Sequence, residues 1–413
     1  MTLGQLTAVL VVAAASAGSM ACARSAARPS RGRGPDTLYV GVAAARANVA
    51  YFQGAQLALD RLNSDRPDGT PALALRLPAD SQPSQVAVAA RFRDDLSVVG
   101  VVGHTGSAQT MDAAPVYGDV ENGGRNGVVA ITPTATNPQV TRVNSWVFRV
   151  CPTDDDAARA LARFAIDSMR ARRVAIVYRN DLFGRGFTRT IAPELAAGRV
   201  AIIERDPYLA DITEYQAYAA RMVRDSADAI VFAGGGSDAA DLVRALNDLH
   251  ARLAILGSDD VGNILDGAKQ IVAPLAGKRE SSKDATGRRA TPREALNRAV
   301  APPTDDRELF RGVRFTAFYD PARASNDEEK YFVAEYRRRF GQAPSHQAAL
   351  SYDAATLIGR AALAVGRDRR RIRDWIAAVG RDAPAQRGIT GEIRFDEHGD
   401  ALGKQVLIGS VRP

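Results

Sequence analysis

The chain has 413 residues, a formal net charge of +7 and a composition that is 46% hydrophobic, 24% charged and 6% aromatic. This length fits two domains, because a single hydrophobic core rarely grows beyond about 250–300 residues. The composition excludes a disordered, a collagen-like and a disulfide-rich chain. The positive charge could indicate nucleic acid as a partner, but the arginines are spread through the sequence and no segment combines a basic patch with aromatic residues. We therefore expect no nucleic-acid binding.

Residues 1–23 have the features of an export signal. The apolar run Leu6–Ala17 is shorter than the about 20 residues that a membrane-spanning helix needs, and small residues follow it. Two cleavage sites fit: one before Cys22, as in a bacterial lipoprotein whose cysteine is lipidated, and one after Ala23, as in ordinary secretion. Residues 24–35 are polar and linker-like. The chain is thus predicted to be periplasmic, or anchored outside the cytoplasm through a lipid on Cys22.

From residue 36 onward, short apolar segments alternate with helical patterns. The apolar segments are rich in Val, Ile and Ala on both faces, which is typical of parallel strands covered by helices. A helix is predicted at Asp155–Arg170, where apolar residues recur on one face and acidic residues stand at the start. Strands are predicted at Leu38–Val42, Leu73–Leu77, Val98–Val102, Val128–Ile131, Val147–Val150, Val174–Tyr178, Val200–Ile203, Ala229–Phe232 and Leu253–Leu256. This alternation predicts a doubly wound α/β fold in two lobes.

Two charged segments interrupt the alternation. Residues 277–311 are poor in large apolar side chains, which predicts a surface insertion with one short helix at Pro292–Val300. Asp368–Arg373 is a basic cluster that enters a helix at Trp375, and we expect it to form a solvated face.

Reactive side chains do not cluster in the sequence. The histidines His104, His250, His346 and His398 are isolated, and the motifs of metalloproteases, serine hydrolases, P-loop proteins and dinucleotide-binding enzymes are missing. No cysteine pair has the spacing of metal ligands, and Cys151 is predicted to be a small core residue. We expect neither enzymatic activity nor a bound metal or cofactor.

Polar segments follow three predicted strands, where ligands bind in α/β proteins. Val101–Ala108 (VVGHTGSA) turns into a helix that begins near Ser107, and a hydroxyl beside free amides is suited to a carboxylate. Ile131–Pro138 (ITPTATNP) is an extended segment with exposed hydroxyls and carbonyls. Leu256–Asp260 (LGSDD) is acidic and can pair with an ammonium group. Each could be an ordinary capped loop, but together they offer partners for the carboxylate and the amine of an α-amino acid.

Six short segments resemble, in order and in residues, the branched-chain amino-acid-binding proteins, which are type I periplasmic solute receptors of ABC importers. The resemblance extends from residue 36 to residue 413 and implies two Rossmann-like lobes joined by a hinge of several chain crossings. It places lobe 1 at 36–150 and 318–390, and lobe 2 at 151–317 and 391–413. The segments that carry it are GAQLALDRLN (Gly54–Asn63), VVGHTGS (Val101–Ser107), ITPTATNP (Ile131–Pro138), FRVCPTDDD (Phe148–Asp156), FGRGF (Phe183–Phe187) and RFDEHGD (Arg394–Asp400).

The resemblance also implies roles for individual residues. Ser107 and Thr136 would bind the carboxylate and amine region of the ligand through hydroxyl and backbone groups. The carbonyl of Thr134 would accept a hydrogen bond from the amine, and Asp259 would be its counter-ion. Phe183 occupies the place of an aromatic residue that closes over the ligand from the second lobe.

One further candidate and two departures concern the shape of the site. Tyr51, near the first strand–helix connection, is the further candidate for ligand binding. Gly234–Gly236 stand where the family often has an aromatic residue, which leaves room for a larger or differently shaped side chain. The loop Ala43–Ala50 also lacks the usual SGP-like sequence. The departures put branched-chain specificity in question.

The implied function is that of a receptor outside the cytoplasm. It would capture a small polar ligand, an amino acid or a related compound, between the lobes and deliver it to an ABC permease and ATPase complex. An alternative is a sensor of the same fold that regulates a signalling partner. Contact with the membrane is expected only through the lipid on Cys22.

Overall fold

The computed structural model describes residues 37–45, 48–78, 84–209, 214–264 and 306–411. The predicted export signal with Cys22, the linker, and most of the charged insertion with its helix at Pro292–Val300 lie outside the described residues.

Two main sheets organise the described chain. The first has the strand order β2-β1-β3-β4-β5 and is parallel throughout. Its strand β3 is buried along its whole length, as expected for a parallel strand with helices on both faces. The strands are β1 (Leu38–Ala43), β2 (Leu73–Arg76), β3 (Val98–Gly103), β4 (Ala130–Thr132) and β5 (Val147–Arg149).

The second sheet has the strand order β13-β10-β9-β8-β6-β7. All its pairs are parallel except that of β13 with β10. A two-stranded antiparallel ribbon, β11 (Gln386–Gly388) with β12 (Gly391–Ile393), lies apart from it. The strands of the second sheet are β6 (Arg173–Arg179), β7 (Ala201–Tyr208), β8 (Ala229–Ala233), β9 (Ala254–Gly257), β10 (Arg314–Ala317) and β13 (Leu407–Ser410).

Helices connect and cover the strands. The described α-helices are α1 (Val49–Asp65), α2 (Gln85–Asp94), α3 (Ser107–Tyr117), α4 (Asp154–Arg163), α5 (Leu182–Ala197), α6 (Tyr215–Arg224), α7 (Gly236–Asp248), α8 (Asp306–Leu309), α9 (Asp327–Phe340), α10 (His346–Val365) and α11 (Arg369–Ala378). Helix α4 continues as a π-helical turn at Phe164–Ser168, close to the predicted end of that helix. The late helices α10 and α11 pack on the first sheet, so that sheet is completed by a distant part of the chain.

The nine strands predicted from the sequence are all present, and the doubly wound α/β class is confirmed. Strand β7 is longer than predicted and continues through Glu204, Arg205 and Asp206 to Pro207 and Tyr208. Because β7 is an edge strand, its polar side chains can reach solvent and a proline is tolerated. The exact lobe boundaries stay a prediction.

The expectation that Asp368–Arg373 forms a solvated face is wrong for Arg369, which is buried. Its guanidinium donates hydrogen bonds to the carbonyls of Phe92, Arg93, Asp95, Val98 and Asn126 at 2.6–3.1 Å. Burial lowers the pKa of Arg369 to about 10. An arginine at this place satisfies the carbonyls at the end of helix α2, which have no partner within their own helix.

Helices α1 and α10 approach each other closely at Gly54. A Cβ added at Gly54 would lie 2.0 Å from the carbonyl oxygen of Ala348, which is backbone and has no room to move away. The hydroxyl of Ser351 donates to the carbonyl of Tyr51 at 2.7 Å across the same contact. The glycine therefore sets the distance between α1 and α10.

We expect Gly54→Ala to lower the free energy of unfolding by about 3 kcal/mol or more, since overpacking typically costs about 1–3 kcal/mol and here the clash is with backbone. Urea unfolding of the purified protein measures this. Gly69→Ala is the matched control, because nothing lies within 4 Å of its Cβ position and only the left-handed backbone opposes it. Equal losses in both variants would contradict the close approach.

Candidate functional site

A cleft with a volume of about 1010 Å³ lies between the carboxyl ends of the two sheets. One wall comes from the segments after β1, β3 and β4, the other from those after β6, β8 and β9, and α9 and α10 contribute the rim. The six residues that the sequence predicted to bind ligand all line this cleft: Tyr51, Ser107, Thr134, Thr136, Phe183 and Asp259. Their positions are thus brought together, and their contacts with a ligand stay a prediction.

The first wall presents hydroxyls and a helix N-terminus. Helix α3 begins at Ser107 without a side-chain cap, so its first amide groups are available to an anion. The hydroxyl oxygen of Ser107 accepts a hydrogen bond from the amide of Asn137 at 3.2 Å, which leaves its proton to donate. This corner of the cleft is suited to a carboxylate.

The hydroxyls of Tyr51 and Thr134 bond within the protein. Thr134 donates to the carbonyl of Thr105 at 2.7 Å, and the Tyr51 hydroxyl lies 2.8 Å from Thr134 Oγ1. Burial raises the pKa of Tyr51, which keeps its hydroxyl neutral. These bonds engage the hydroxyl of Thr134 within the protein. The resemblance assigns the carbonyl of Thr134, not its hydroxyl, to the ligand.

The second wall carries Phe183 and a charged pair. Phe183 lies in the first turn of α5 and is buried. Asp181 caps the same helix by accepting from the amide of Gly184 at 2.8 Å, and it also accepts from Arg179 Nε at 2.6 Å. The Arg179 guanidinium stands 5.7 Å from the centre of the Phe183 ring. Arg179 and Asp181 thus hold the aromatic side chain at the cleft.

Two adjacent carboxylates complete the second wall. Asp259 and Asp260 begin a 3₁₀ turn directly after β9. Asp259 is 4% exposed, and its Oδ1 has no hydrogen-bond partner within the described chain. Burial, with the nearby charges of Asp260 and Asp154, raises the pKa of Asp259 well above its ordinary value. Such a carboxylate favours a cationic partner.

Asp154 lies behind Thr136, at the first position of α4. Its amide donates to the carbonyl of Thr136 at 2.8 Å, and its side chain is buried. Burial raises the pKa of Asp154 to about 7, although Thr136 and Arg149 favour the charged form. The acidic start of α4 therefore joins the cleft through Thr136.

A buried ion pair holds the backbone of the segment Ile131–Pro138. Arg149, at the end of β5, is fully buried and donates to the carbonyls of Ala135 and Asn137 at 3.2 and 2.8 Å. It also pairs with Asp400, in the RFDEHGD turn, which accepts a further hydrogen bond from Thr141 at 2.6 Å. The turn is structural, and it holds the backbone that carries Thr134 and Thr136.

Cys151 and His104 are buried and are not among the residues that line the cleft. Cys151 is fully buried, as predicted for a core residue. His104 is buried too, with one ring nitrogen 2.7 Å from Gln85 Oε1 and the other 2.8 Å from the Tyr117 hydroxyl. Within the described ranges, no group of histidine, cysteine and carboxylate side chains has the arrangement of a metal site.

The sequence reasoning missed several lining residues. Arg179 and Asp181 follow the predicted strand at Val174–Tyr178, so the rule that located the other polar segments would also have found them. Asp260 belongs to the segment LGSDD, but neither the sequence pattern nor the resemblance gives it a role of its own. The rim residues carry no local signal in the sequence and join the cleft only through packing: Tyr336, Gln342, Ala343, Ser345 and Gln347.

Comparison with known proteins identifies the family. The family described as periplasmic binding protein matches residues 39–273. An amino acid binding protein of Pseudomonas aeruginosa is 28% identical over 214 residues, which are 51% of this chain and 56% of that protein. The Leu/Ile/Val-binding protein BraC3 of Rhizobium johnstonii is 29% identical over 212 residues, with the same shares. The chain thus spans about half the length of the curated relatives that it matches.

A solved structure extends the likeness over the whole fold. The ABC transporter substrate-binding protein from Desulfitobacterium hafniense, crystallised in complex with Leu, superposes with a TM-score of 0.70. It is 21% identical and the match covers 91% of this chain and 98% of that one. At this identity the likeness shows the fold, which is that of the type I periplasmic binding proteins.

Loss of the buried ion pair should destabilise the chain. We expect Asp400→Asn to lower the free energy of unfolding by about 3–5 kcal/mol, because it leaves Arg149 buried and unpaired. Urea unfolding gives the value, with Asp382→Asn as the control on an exposed carboxylate. An Asp400→Asn variant as stable as the control would show that Asp400 does not compensate the arginine.

The buried carboxyl of Asp154 should make stability fall as the pH rises. Its pKa is about 7 in the folded chain against an ordinary 3.8, so the folded state holds the proton more tightly and loses this advantage between pH 4 and 7. We expect Asp154→Asn to be more stable than the wild type at pH 8, with a smaller difference at pH 4.5. Urea unfolding at both pH values measures this, with the exposed Asp112→Asn as control. A difference independent of pH would contradict the assignment.

Proposed function

This chain belongs to the periplasmic binding protein family, and we propose that it is a solute receptor whose ligand is an amino acid or a closely related small polar compound. The observation that carries the proposal is that one cleft contains a site suited to an anion and a site suited to a cation. Ser107 and the start of α3 are suited to a carboxylate. The carboxylate of Asp259, whose Oδ1 has no hydrogen-bond partner within the described chain, is suited to an ammonium. An α-amino acid presents these two groups on one small molecule.

Binding would use both walls at once. Ser107 and the α3 amides hold the ligand carboxylate, while the Thr134 carbonyl, Thr136 and Asp259 hold the ammonium. Phe183 covers the ligand from the second sheet. Because the contacts come from both sheets, the ligand stabilises the arrangement in which the walls are close. Several hydrogen bonds to charged groups, at about 1.5–3 kcal/mol each, support micromolar affinity after the entropy cost of binding.

One departure from the family pattern concerns the ligand side chain, which can be larger or differently shaped than that of a branched-chain amino acid. Gly234–Gly236 stand where the resemblance places an aromatic residue, and Gly236 of this segment lines the cleft.

Membership of this family implies an extracytoplasmic location. We propose that residues 1–23 direct export, that Cys22 is lipidated, and that the receptor hands its ligand to an ABC permease and ATPase complex without making or breaking a bond. No helix in the described part of the chain combines the length and the apolar character needed to span a bilayer.

The proposal is tested with purified protein from which bound ligand has been removed by unfolding and refolding. Isothermal titration calorimetry against the twenty standard amino acids is expected to show at least one with micromolar affinity. Mass spectrometry of the material released on unfolding gives an independent identification. Absence of binding to every amino acid, with the protein shown to be folded, would overturn the amino-acid assignment.

Replacing the counter-ion should remove recognition of the amine. We expect Asp259→Ala to weaken binding of the best amino acid by about 30-fold or more, since loss of one partner of a buried charge pair costs about 2–5 kcal/mol. Calorimetry of the variant measures this, with Asp112→Ala on the exposed face of α3 as the control. Unchanged affinity would show that Asp259 does not pair with the ligand.

A further inference from the structure

The walls of the cleft carry more negative than positive charge. Among the lining residues, Asp181, Asp259 and Asp260 are acidic and Arg179 is the basic side chain, so the formal charge of the walls is −2. A neutral zwitterionic amino acid would leave this sum unchanged. The excess negative charge therefore favours a ligand that carries more positive charge than a zwitterionic amino acid.

Arg179 cannot neutralise all three carboxylates. Its Nε donates to Asp181 Oδ2 at 2.6 Å, and Asp181 is itself fixed as the cap of α5. Arg179 also lowers the pKa of Asp260 and that of Asp259, which burial raises, so this one guanidinium acts on all three acids. One positive charge shared by three carboxylates leaves the second wall with an excess of negative charge.

Asp259 adds a carboxylate with an open acceptor. It is 4% exposed, lines the cleft, and its Oδ1 has no hydrogen-bond partner within the described chain. Asp260 follows Asp259 directly in the chain. The charges of Asp260 and of the buried Asp154 both raise the pKa of Asp259. Burying adjacent carboxylates without cations is unfavourable, so groups that occupy this wall should bring positive charge. The α-ammonium of an amino acid supplies one such group and compensates one carboxylate.

We propose that the ligand carries a second cationic group, as in a basic α-amino acid with an amino or guanidino side chain. The α-ammonium pairs with Asp259 and the side-chain cation with Asp260, and both carboxylates line the cleft. This inference rests on the proposed function and specifies its substrate class. A metal ion is the less suitable occupant, because the carboxylates within the described ranges do not form a metal site.

The experiment compares two ligands that differ mainly in one charge. L-Lysine and L-norleucine share the α-amino acid group and a linear side chain, and lysine adds the terminal ammonium. Calorimetry of the ligand-free wild-type chain is expected to show lysine binding about tenfold to hundredfold more tightly, which is the effect of one hydrogen bond to a charged group. L-Arginine and L-leucine form a second pair with the same expected order.

A variant tests whether the preference for lysine over norleucine comes from Asp260 on the second wall. Asp260→Asn is expected to remove most of the lysine preference while norleucine affinity changes by less than about threefold, since its neutral side chain does not need the charge. Asp112→Asn makes the same chemical change on exposed α3 and should leave both affinities unaltered. The wild-type comparison stands even where the variant folds poorly.

The outcomes separate this inference from the proposed function. Norleucine or leucine binding as tightly as lysine and arginine would overturn the cationic class, although an amino-acid receptor would remain. Uptake of about one proton on binding of a neutral amino acid, measured in buffers of different ionisation enthalpy, would also overturn it, because a proton would then compensate the second carboxylate. Binding of no amino acid at all would overturn the proposed function itself.

Discussion

The cleft depends on one buried charge, the guanidinium of Arg149. A fully buried arginine is tolerated when its charge is paired and hydrogen-bonded. Asp400 pairs with the guanidinium and the carbonyls of Ala135 and Asn137 accept from it, while its Nε has no hydrogen-bond partner within the described chain. Those carbonyls belong to the segment that carries Thr134 and Thr136, so the same bonds that compensate the charge also fix one wall of the site. Stability and the geometry of binding thus depend on the same hydrogen bonds at the end of β5.

The second wall, in contrast, contains buried charge that the protein does not fully compensate. Asp259 is buried without a full set of partners, and Asp260 shares Arg179 with Asp181. In a structure optimised for stability alone, such carboxylates would be paired or replaced, because uncompensated buried charge is unfavourable. Violations of this kind are expected at functional sites. A cationic ligand would supply the missing charges and thereby favour the closed arrangement of the walls.

Much of the fold and the site could be predicted because the signals are local. Buried parallel strands appear as short Val- and Ile-rich runs, and ligands of α/β proteins lie at the carboxyl ends of such strands. Ser107 and Asp259 lie in the short segments that follow β3 and β9, so local sequence indicates them without any knowledge of packing. The basic neighbours of Arg369 predict a solvent-exposed side chain. Its guanidinium instead donates hydrogen bonds to the last carbonyls of α2, a helix that is distant in the sequence. Gln347 reaches the cleft only through the packing of α10 on α1.

The sequence by itself determined the alternation of strands and helices, the polar segments that end the strands, and hence which residues could meet in a cleft. Only the tertiary structure decided how the charges are distributed among partners. Arg149 and Asp400 are 251 positions apart, and nothing in either local sequence indicates that they pair. Likewise, Arg179 is engaged by Asp181 while Asp259 keeps an open acceptor, a difference that composition cannot reveal. The physical reason is that hydrogen bonding and desolvation depend on distances set by packing, whereas strand and helix patterns depend on neighbours along the chain.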